Sequence, residues 1–377
     1  MSMLARTEIQ KIAESYGKDV SIGVLASHSG EEVGMAAKAA GLKCIAICEK
    51  GRDALYTKYN KNLFSDFIVL DKFKDILKPD VQEKLVKNHV VFLPNRSFSV
   101  YAGYDVVEND FRVPIYGSRA LFRTEERNDE RGQYWLLEQA GIRIPKQFST
   151  ADEIDRLAIV KVQQKNKPLE RAFFYCTCKK DFDEKSKELI SEGLISAEGL
   201  KEARVEEFVL GPRFNANFHA YAIAELGTID FLGFEDRRQV NLGGILNLPA
   251  QEQLKLDIPI TNEEIGHFGI TMRESKKHLV YEAAEKFVLA TKKEFAPGMI
   301  GTFSLQGAIS EGKDRKLEFI VFDVSPRIPG CPCVGPTSPE MRRLSLIYEK
   351  DIRAPLDLSM IEIKHAAKTG KLGKIIT

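Results

Sequence analysis

Read as a strand, Leu317–Ser325 sends alternate side chains to one side. Leu317, Phe319 and Val321 make that side apolar, and Asp323 and Ser325 then turn it polar. Arg327 continues the alternation if the chain stays extended. A carboxylate, a hydroxyl and a guanidinium in line at the end of a buried strand suit a magnesium–phosphate site. Magnesium takes carboxylate and phosphate oxygens, and a guanidinium grips a phosphoryl group in transfer. The same residues also read as a salt bridge between Asp323 and Arg327 at a strand end. Gln306 lies among the apolar residues of Phe303–Ile309 and needs partners. It is either a weak metal ligand or a hydrogen-bonded core amide. Hairpin register decides whether it faces Asp323, because a slip of one residue reverses the face.

Four further segments could hold anions or a nucleotide. Lys161, between Val160 and Val162 in the strand Ala158–Val162, reads either as a ligand of an ATP phosphate or as an edge-strand lysine that blocks aggregation. Glu206-Glu207-Phe208-Val209 pairs acids with apolar residues before Gly211, which suits adenine and ribose hydroxyls; solvated acids are the plainer reading. Ser27-His28-Ser29-Gly30 falls between the first strand and the first helix, where free amides and hydroxyls favour a phosphate. A simple helix cap with a surface histidine is the alternative. Lys50-Gly51-Arg52-Asp53 follows the next strand at the same sheet edge, and the two turns together favour an anionic ligand. The chain has neither a GxGxxG fingerprint nor a GxxxxGK[ST] phosphate loop.

The elements that must position these residues begin with alternating strands and helices. Strands are expected at Val20–Ser27, Lys43–Cys48, Phe67–Leu70, Val90–Pro94 and Val113–Tyr116, with helices at Gly30–Ala40 and Lys74–Lys87. That alternation predicts an α/β class with a parallel, doubly wound sheet. A long charged helix is expected from Ala120 to Ala140, stopped by Gly141. Strands at Ala158–Val162, Phe173–Thr177 and Val205–Leu210 follow, with helical stretches before Ala203. The remainder reads as a sheet with long excursions: Phe214–Ala224, Thr228–Phe234, Gly269–Arg273, the helix Lys276–Phe295, and paired strands Thr302–Ile309 and Leu317–Ser325.

These segments, in this order, resemble the formate–phosphoribosylaminoimidazolecarboxamide ligase family of ATP-grasp enzymes over nearly the whole chain. The landmarks are Ala26-Ser27-His28-Ser29, Lys50-Gly51-Arg52-Asp53, Val107-Glu108-Asn109 with Val113-Pro114, and Gly117-Ser118-Arg119 with Arg123 and Glu125. They continue with Glu206–Val209 and Gly211, Arg237 with Asn241 and Gly244, and Arg273-Glu274-Ser275. Pro297–Gly301, Leu305-Gln306 and Phe322–Arg327 complete the set. No single motif decides; the collinear order does. The resemblance implies an ATP-grasp fold preceded by a Rossmann-like parallel α/β domain. The domains would be 1–122, then the small lobe 123–210, then the large lobe 211–377, with ATP between the two lobes. It implies that ATP phosphorylates formate and that the aminoimidazole amine attacks the formyl phosphate, releasing ADP and phosphate. Lys161, Glu206, Glu207, Phe208 and Val209 would hold ATP. Asp323 would hold magnesium, or manganese in its place, with Gln306 as second ligand. Arg327 would touch the transferring phosphoryl group. Ser27, His28, Ser97, Arg237 and Asn241 would hold the ribonucleotide.

The chain departs from the family at four places. A glycine-rich phosphate-covering stretch is replaced by Gln163–Arg171, which has no glycine and carries Lys165, Lys167, Pro168 and Arg171. A Pro-His pair becomes Pro94-Asn95, followed by Arg96. A Gly-Gly-Thr-Asn run becomes Gly330-Cys331-Pro332-Cys333, and the metal-binding glutamate is Asp323. These touch the ATP lid, the acceptor pocket and the metal. They leave two alternatives to the formate ligase: the same chemistry on another amine and carboxylate, or a nucleotide-binding paralogue without turnover.

Composition narrows the partners. Lys+Arg is 55 and Asp+Glu 54, so no global basic excess argues for nucleic acid. Val20–Ala26 and Phe319–Phe322, the longest apolar runs, are far too short to span a bilayer. The N-terminal stretch to Ser15 reads as an amphipathic helix and not a secretory signal. Six cysteines without an export signal predict free thiols in a reducing cytoplasm. Cys176-x-Cys178 and Cys331-x-Cys333 lack the gaps and histidine partners of structural zinc, and read as small core residues. The family's habit adds a homo-oligomer to the expectations.

Overall fold

Val, Ile and Cys crowd the first strands on both sides, which is what a parallel sheet covered by helices on two faces requires. The strands are β1 (Ser21–Leu25), β2 (Lys43–Glu49), β3 (Asp66–Leu70) and β4 (Val90–Phe92), in the order β3-β2-β1-β4. β1 pairs in parallel with both β2 and β4. Ile22, Val24, Cys44, Ala46 and Cys48 fill the core on one side; Leu25, Ile45, Ile47 and Phe92 fill the other. The computed structural model describes residues 6–126, 129–163, 171–239, 242–256, 264–312, 315–336 and 338–377.

The chain forms two units. The larger takes in Met1–Ile142, Arg213–Gly307 and Asp323–Thr377; the smaller takes in Arg143–Pro212 and Ala308–Phe322. In the smaller unit β5 (Gln147–Phe148), β6 (Ala158–Gln163), β7 (Arg171–Cys176) and β8 (Arg204–Glu207) make a sheet ordered β5-β8-β6-β7. Lys161 therefore sits on an interior strand, between β8 and β7, and the edge-strand reading falls.

In the larger unit, a second sheet carries the polar residues. Its strands are β9 (Arg213–Ala220), β10 (Ile229–Gln239), β11 (Glu264–Ile270), β12 (Gly301–Glu311) and β13 (Leu317–Ser325), ordered β11-β10-β9-β12-β13. β12 and β13 run on along the chain into the smaller unit. β9 alternates strictly. Phe214, Ala216, Phe218 and Ala220 point one way, with Phe218 stacked on Phe303, and Phe303 stacked on Phe287 of the helix Glu274–Glu294. Asn215, Asn217 and His219 point the other way and are all buried. The ladder of β10 against β9 slips between Phe231 and Gly233, so Phe231 and Phe234 share the apolar side while Glu235 pairs with Asn215 on the polar one. Gly233 absorbs that bulge at φ 140°, which a side chain rarely tolerates.

The helix Pro355–Thr369 anchors to this sheet through a buried network. Glu362 accepts from the Tyr116 hydroxyl at 2.6 Å and from the backbone of Ala222 at 2.8 Å and Ile223 at 3.1 Å, with His219 Nε2 at 3.6 Å. Among the described residues no helix is long and apolar enough to cross a membrane.

Four expected elements differ. The strand expected at Gly269–Arg273 is β11, Glu264–Ile270, and Arg273 is instead the N-cap residue of the helix Glu274–Glu294. The helix Ala120–Ala140 is not continuous: a 3₁₀ helix, Arg119–Glu125, and an α-helix, Gln133–Gln139, flank a turn. The Asp129 side chain accepts from Arg131 N at 3.0 Å and its carbonyl from Gly132 N at 2.9 Å, and a Cβ on Gly132 would lie 2.3 Å from the Glu126 carbonyl. An aspartate turn plus an obligatory glycine breaks a helix that charge pattern alone would continue. The helix Lys74–Lys87 is a 3₁₀ turn, Phe73–Leu77, then an α-helix from Pro79, because the proline holds Lys78 extended at ψ 137°. Val113–Tyr116 forms no strand of its own; Ile115 and Tyr116 make isolated bridges to Phe92 and Ile376.

Candidate active site

The polar side of the second sheet can be followed strand by strand. His219 Nδ1 lies 3.4 Å from Thr302 Oγ1, which fixes Thr302, Ser304 and Gln306 of β12 on the same side as Asn215 and Asn217. Gln306 Nε2 donates to Ser325 Oγ at 3.4 Å, so Gln306, Ser325 and, by alternation, Asp323 share that side. The hairpin register left open by the sequence thus brings Gln306 to the face of Asp323. Among the described residues, Asn217 Oδ1 and Ser304 Oγ are buried on this side without a hydrogen-bond partner. Buried polar groups are nearly always paired, which sets these two apart.

Arg327 follows on the same run. Asn95 and Ile328 form a parallel bridge, which draws the chain after β13 to the end of β4. Arg327 is buried, its Nη2 lies 2.9 Å from Glu125 Oε1, and its Nε has no partner. Glu125 Oε2 lies 3.0 Å from Arg96 Nη1, so one carboxylate holds two guanidinium groups. The ion pair found for Arg327 is therefore with Glu125, and Asp323 acts on it as a nearby charge. Burial pulls the Arg327 pKa below its ordinary value, against the pull of Glu125.

The turn after β1 meets the same region. Ser97 Oγ donates to Ser27 Oγ at 3.0 Å. His28 has φ 49°, and its Nδ1 lies 3.0 Å from Ser29 Oγ at the start of the helix Gly30–Ala39. Burial, then the charge of Arg327, pushes the His28 imidazole down to about 4, so it is neutral at pH 7. Asn95, where the family has histidine, is fully buried; its amide donates to the carbonyls of Leu25 at 2.9 Å and Ser27 at 2.8 Å, and its Oδ1 caps Phe98 N. This asparagine holds the turn rather than reaching out of it.

Arg237 is exposed enough to meet a ligand and pairs with Glu264 at 2.8 Å. Asn241 lies outside the described residues, as do residues 164–170 of the glycine-free stretch. In the smaller unit the Lys161 ammonium pairs with buried Glu206. Glu207 points to the other side of β8, where Arg143 Nη2 at 2.8 Å, Lys146 N at 3.0 Å and Arg156 Nη1 at 3.4 Å occupy it. Phe208 packs edge-on against Tyr175, with ring centroids 5.1 Å apart, and Val209 packs with Ala308 and Ile320.

The sequence named Glu125 and Arg96 without giving either a role, and gave no sign of Glu235, Glu264 or His267. The alternation Asn215-x-Asn217-x-His219 was a readable signal of a polar buried face; the pairing partners of Glu125 and His267 had none. All six cysteines are free. Cys44, Cys48, Cys176 and Cys331 are buried, as small core residues would be, whereas Cys178 and Cys333 are exposed. Among the described residues no group of three or more His, Cys, Asp and Glu could hold a metal ion. Asp323 and the amide oxygen of Gln306 are hard-oxygen donors on one side of the sheet. That pair fits a magnesium ion that would take its other ligands from phosphate and water. A cavity of about 1040 Å³, bordered by Met35, Met360 and Lys364, includes Glu32 and Cys331 but not Asp323 or Arg327, and is separate from this chemistry.

The fold has close counterparts among solved structures. An IMP biosynthesis protein, PurP, from Thermococcus kodakaraensis matches with a TM-score of 0.67 at 20% identity, over 94% of this chain and 100% of that one. An N5-carboxyaminoimidazole ribonucleotide synthetase in complex with ADP matches with a TM-score of 0.57 at 11% identity, over 89% and 79%. The architecture is that of the ATP-grasp proteins. Family models described as "Protein of unknown function (DUF1246)" and "Domain of unknown function (DUF1297)" match residues 22–148 and 181–377. A Methanopyrus kandleri protein named 5-formaminoimidazole-4-carboxamide-1-(beta)-D-ribofuranosyl 5'-monophosphate synthetase is 36% identical over 330 residues, covering 87% of this chain and 88% of its own. The protein of that name from Methanosphaera stadtmanae is 30% identical over 380 residues, with both chains covered in full at 100%. The chain belongs to this synthetase family.

Proposed function

We propose that this protein is an ATP-dependent carbon–nitrogen ligase that formylates aminoimidazole carboxamide ribonucleotide with formate; the names of its relatives call them synthetases of the formamino product. A formate oxygen attacks the γ-phosphorus of ATP, giving formyl phosphate and ADP. The amine then attacks the formyl carbon and phosphate leaves. Little covalent chemistry falls to the protein; it positions the reactants and neutralises charge. The observation that carries the reading is the buried polar row from Asn217 and Ser304 through Gln306 to Asp323, ending at Arg327.

On this reading Asp323 and Gln306 hold magnesium, or manganese in its place, and the ion neutralises phosphate charge when bound. Arg327, set by Glu125, meets the transferring phosphoryl group. Ser27, His28 and Ser97, with Arg237 and Asn241, hold the ribonucleotide. Neutral His28 donates or accepts a hydrogen bond there without adding charge. Lys161 and Glu206–Val209 remain the nucleotide ligands of the smaller unit, with Glu207 the weakest of them because three partners already occupy it. The domain division at 122 and 210, a cytoplasmic location and assembly into a homo-oligomer belong to the same proposal.

Turnover with ATP, formate and the ribonucleotide tests it. Formamido ribonucleotide, ADP and phosphate in equal amounts support it; ATP binding without any product overturns it. The glycine-free stretch at 163–171 favours a second reading, a nucleotide binder without turnover, and that outcome would establish it.

A further inference from the structure

Beyond the phosphoryl-transfer residues, the same polar side ends in a cluster of which the reaction so far uses only Arg237. β10 and β11 pair Arg237 with His267 and Glu235 with Gly269 across the ladder. His267 Nδ1 lies 3.0 Å from Glu235 Oε1, and its Nε2 contacts Glu264. Arg237 Nη1 lies 2.8 Å from the other Glu264 oxygen. Two carboxylates face two cations. Glu235 is fully buried, whereas the Glu264 side chain is 34% exposed, so the cluster has a closed end and an open one. His28, Arg237, Glu264 and His267 lie within one another's electrostatic reach, which places the open end beside the turn that holds the ribonucleotide in the reading above.

We propose that Glu264 is the general base that takes the proton from the acceptor amine, and that His267, anchored on Glu235, is the positioning residue that aims it; this rests on the ligase reading. The nitrogen attacks the formyl carbon, the N–C bond forms, the C–O bond to phosphate breaks, and its electron pair leaves with phosphate. The N–H proton passes to a Glu264 oxygen. Once bonded to carbon the nitrogen carries positive charge, and its proton is acidic enough for a carboxylate. Before transfer, Glu235 and Glu264 balance His267 and Arg237. Afterwards the cluster carries one net positive charge, as the departing phosphate gains a negative one. The base thus leaves behind a cation where an anion develops.

The other acids of the cluster fit the role less well. Glu235 has no open side. Glu32 reaches the cluster from the helix Gly30–Ala39, but burial, then the charge of Glu235, pushes it up to about 7, so it is partly protonated when a base must be free. Burial lifts Glu264 too, but His267 and Arg237 outweigh it and hold the carboxyl below its ordinary range. Burial likewise works against the proton of His267, yet Glu235 and Glu264 lift it to about 9. The charged and titrating groups facing His267 and Glu264 are then Glu235 and Arg237 from β10, Glu32 and His28 from the first helix and its turn, and Cys333, whose thiol is raised by burial.

The test uses the full-length protein and two readouts: formate-driven positional isotope exchange in ATP labelled at the β,γ bridge, which reports formyl phosphate formation, and formamide formation, which reports amine transfer. Glu264→Gln should lower kcat for formamide by roughly 10²–10⁴-fold while exchange stays within about twofold of wild type. Glu264→Asp should recover part of the loss. The wild-type kcat profile should fall on the alkaline side near pH 9 as His267 loses its proton, and His267→Gln should remove that limb. Wild-type formamide turnover in Glu264→Gln, or equal loss of exchange and turnover, overturns the proposal. Absence of both exchange and formamide in the wild-type protein is a different result: it removes the ligase reading, and this proposal with it.

Discussion

At the scale of single residues, the charge on Asp323 separates a metal ligand from a strand-end carboxylate. Asp323→Asn keeps shape and hydrogen-bonding capacity but removes the charge that magnesium needs. Turnover should fall by at least about 10²-fold, with the urea midpoint changed little. Wild-type activity in the variant would make Asp323 structural. His267 gives a second residue-scale prediction, read in stability. Its folded pKa, about 9, lies above its ordinary 6.5. The stability drawn from its charge is therefore fully present below pH 6.5 and is lost as pH rises through 9. A shift of this size is worth at most roughly 3 kcal/mol. In His267→Gln the fall of unfolding free energy across that window should shrink. Glu32, raised to about 7 from 4.5, adds its own fall between those values, and both proteins share it. An unchanged slope between pH 6.5 and 9 would mean that the imidazolium is not paired as described.

At the scale of elements, the turn after β1 depends on one side chain from the end of β4. Asn95 supplies two donors to carbonyls of one segment and an acceptor to the helix Arg96–Ala102, all fully buried. Asn95→Ala should cost about 2–4 kcal/mol, since it removes a cap and leaves two buried carbonyls unpaired. Asn95→Asp keeps the cap but turns a carboxylate toward the same two carbonyls, so it should be no better than alanine. Urea unfolding of the two variants measures both. If the aspartate variant is as stable as wild type, the amide donors contribute nothing and the turn is held by its backbone alone. The bulge in β10 works at the same scale: by shifting the ladder at Gly233 it moves Glu235 onto the polar side, and the cluster with His267 exists only because of that slip.

At the scale of the whole molecule, the larger unit joins the parallel sheet to the second sheet by the bridge of Asn95 with Ile328 and by the buried network of Glu362, Tyr116 and His219. The residues proposed to hold the ribonucleotide lie by both sheets: His28 and Ser97 beside the first, Arg237 in the second. A ligand that binds only the folded form should therefore stabilise the unit as one body. Ribonucleotide at 100 times its Kd should add about 2.7 kcal/mol, seen as a rise in thermal midpoint. His28→Ala should reduce that rise without lowering the midpoint of the free protein by much. A full ligand-induced rise in His28→Ala would move the ribonucleotide elsewhere.

The sequence by itself determined the class of the fold and the strand that carries Asp323. Apolar runs spaced by helical segments admit few layer arrangements, and β13 has the bounds that its alternation predicts, Leu317–Ser325. It also determined that Ser27, His28 and Arg327 stand at strand ends or turns, where polar residues interrupt apolar runs, and that Lys161 lies within a strand. It did not determine which charges meet. Arg327 could pair with Asp323, four residues away, yet its carboxylate is Glu125, about two hundred residues earlier. The same holds for Asn95 with Leu25, and for His219 with Glu362. Local alternation fixes the side a residue faces, but only strand order, register and bulges fix its neighbours. A one-residue slip in β10 decides whether Glu235 lies in the apolar core or in the cluster with His267; Gly233 permits a bulge there, but only pairing with β9 makes the ladder slip.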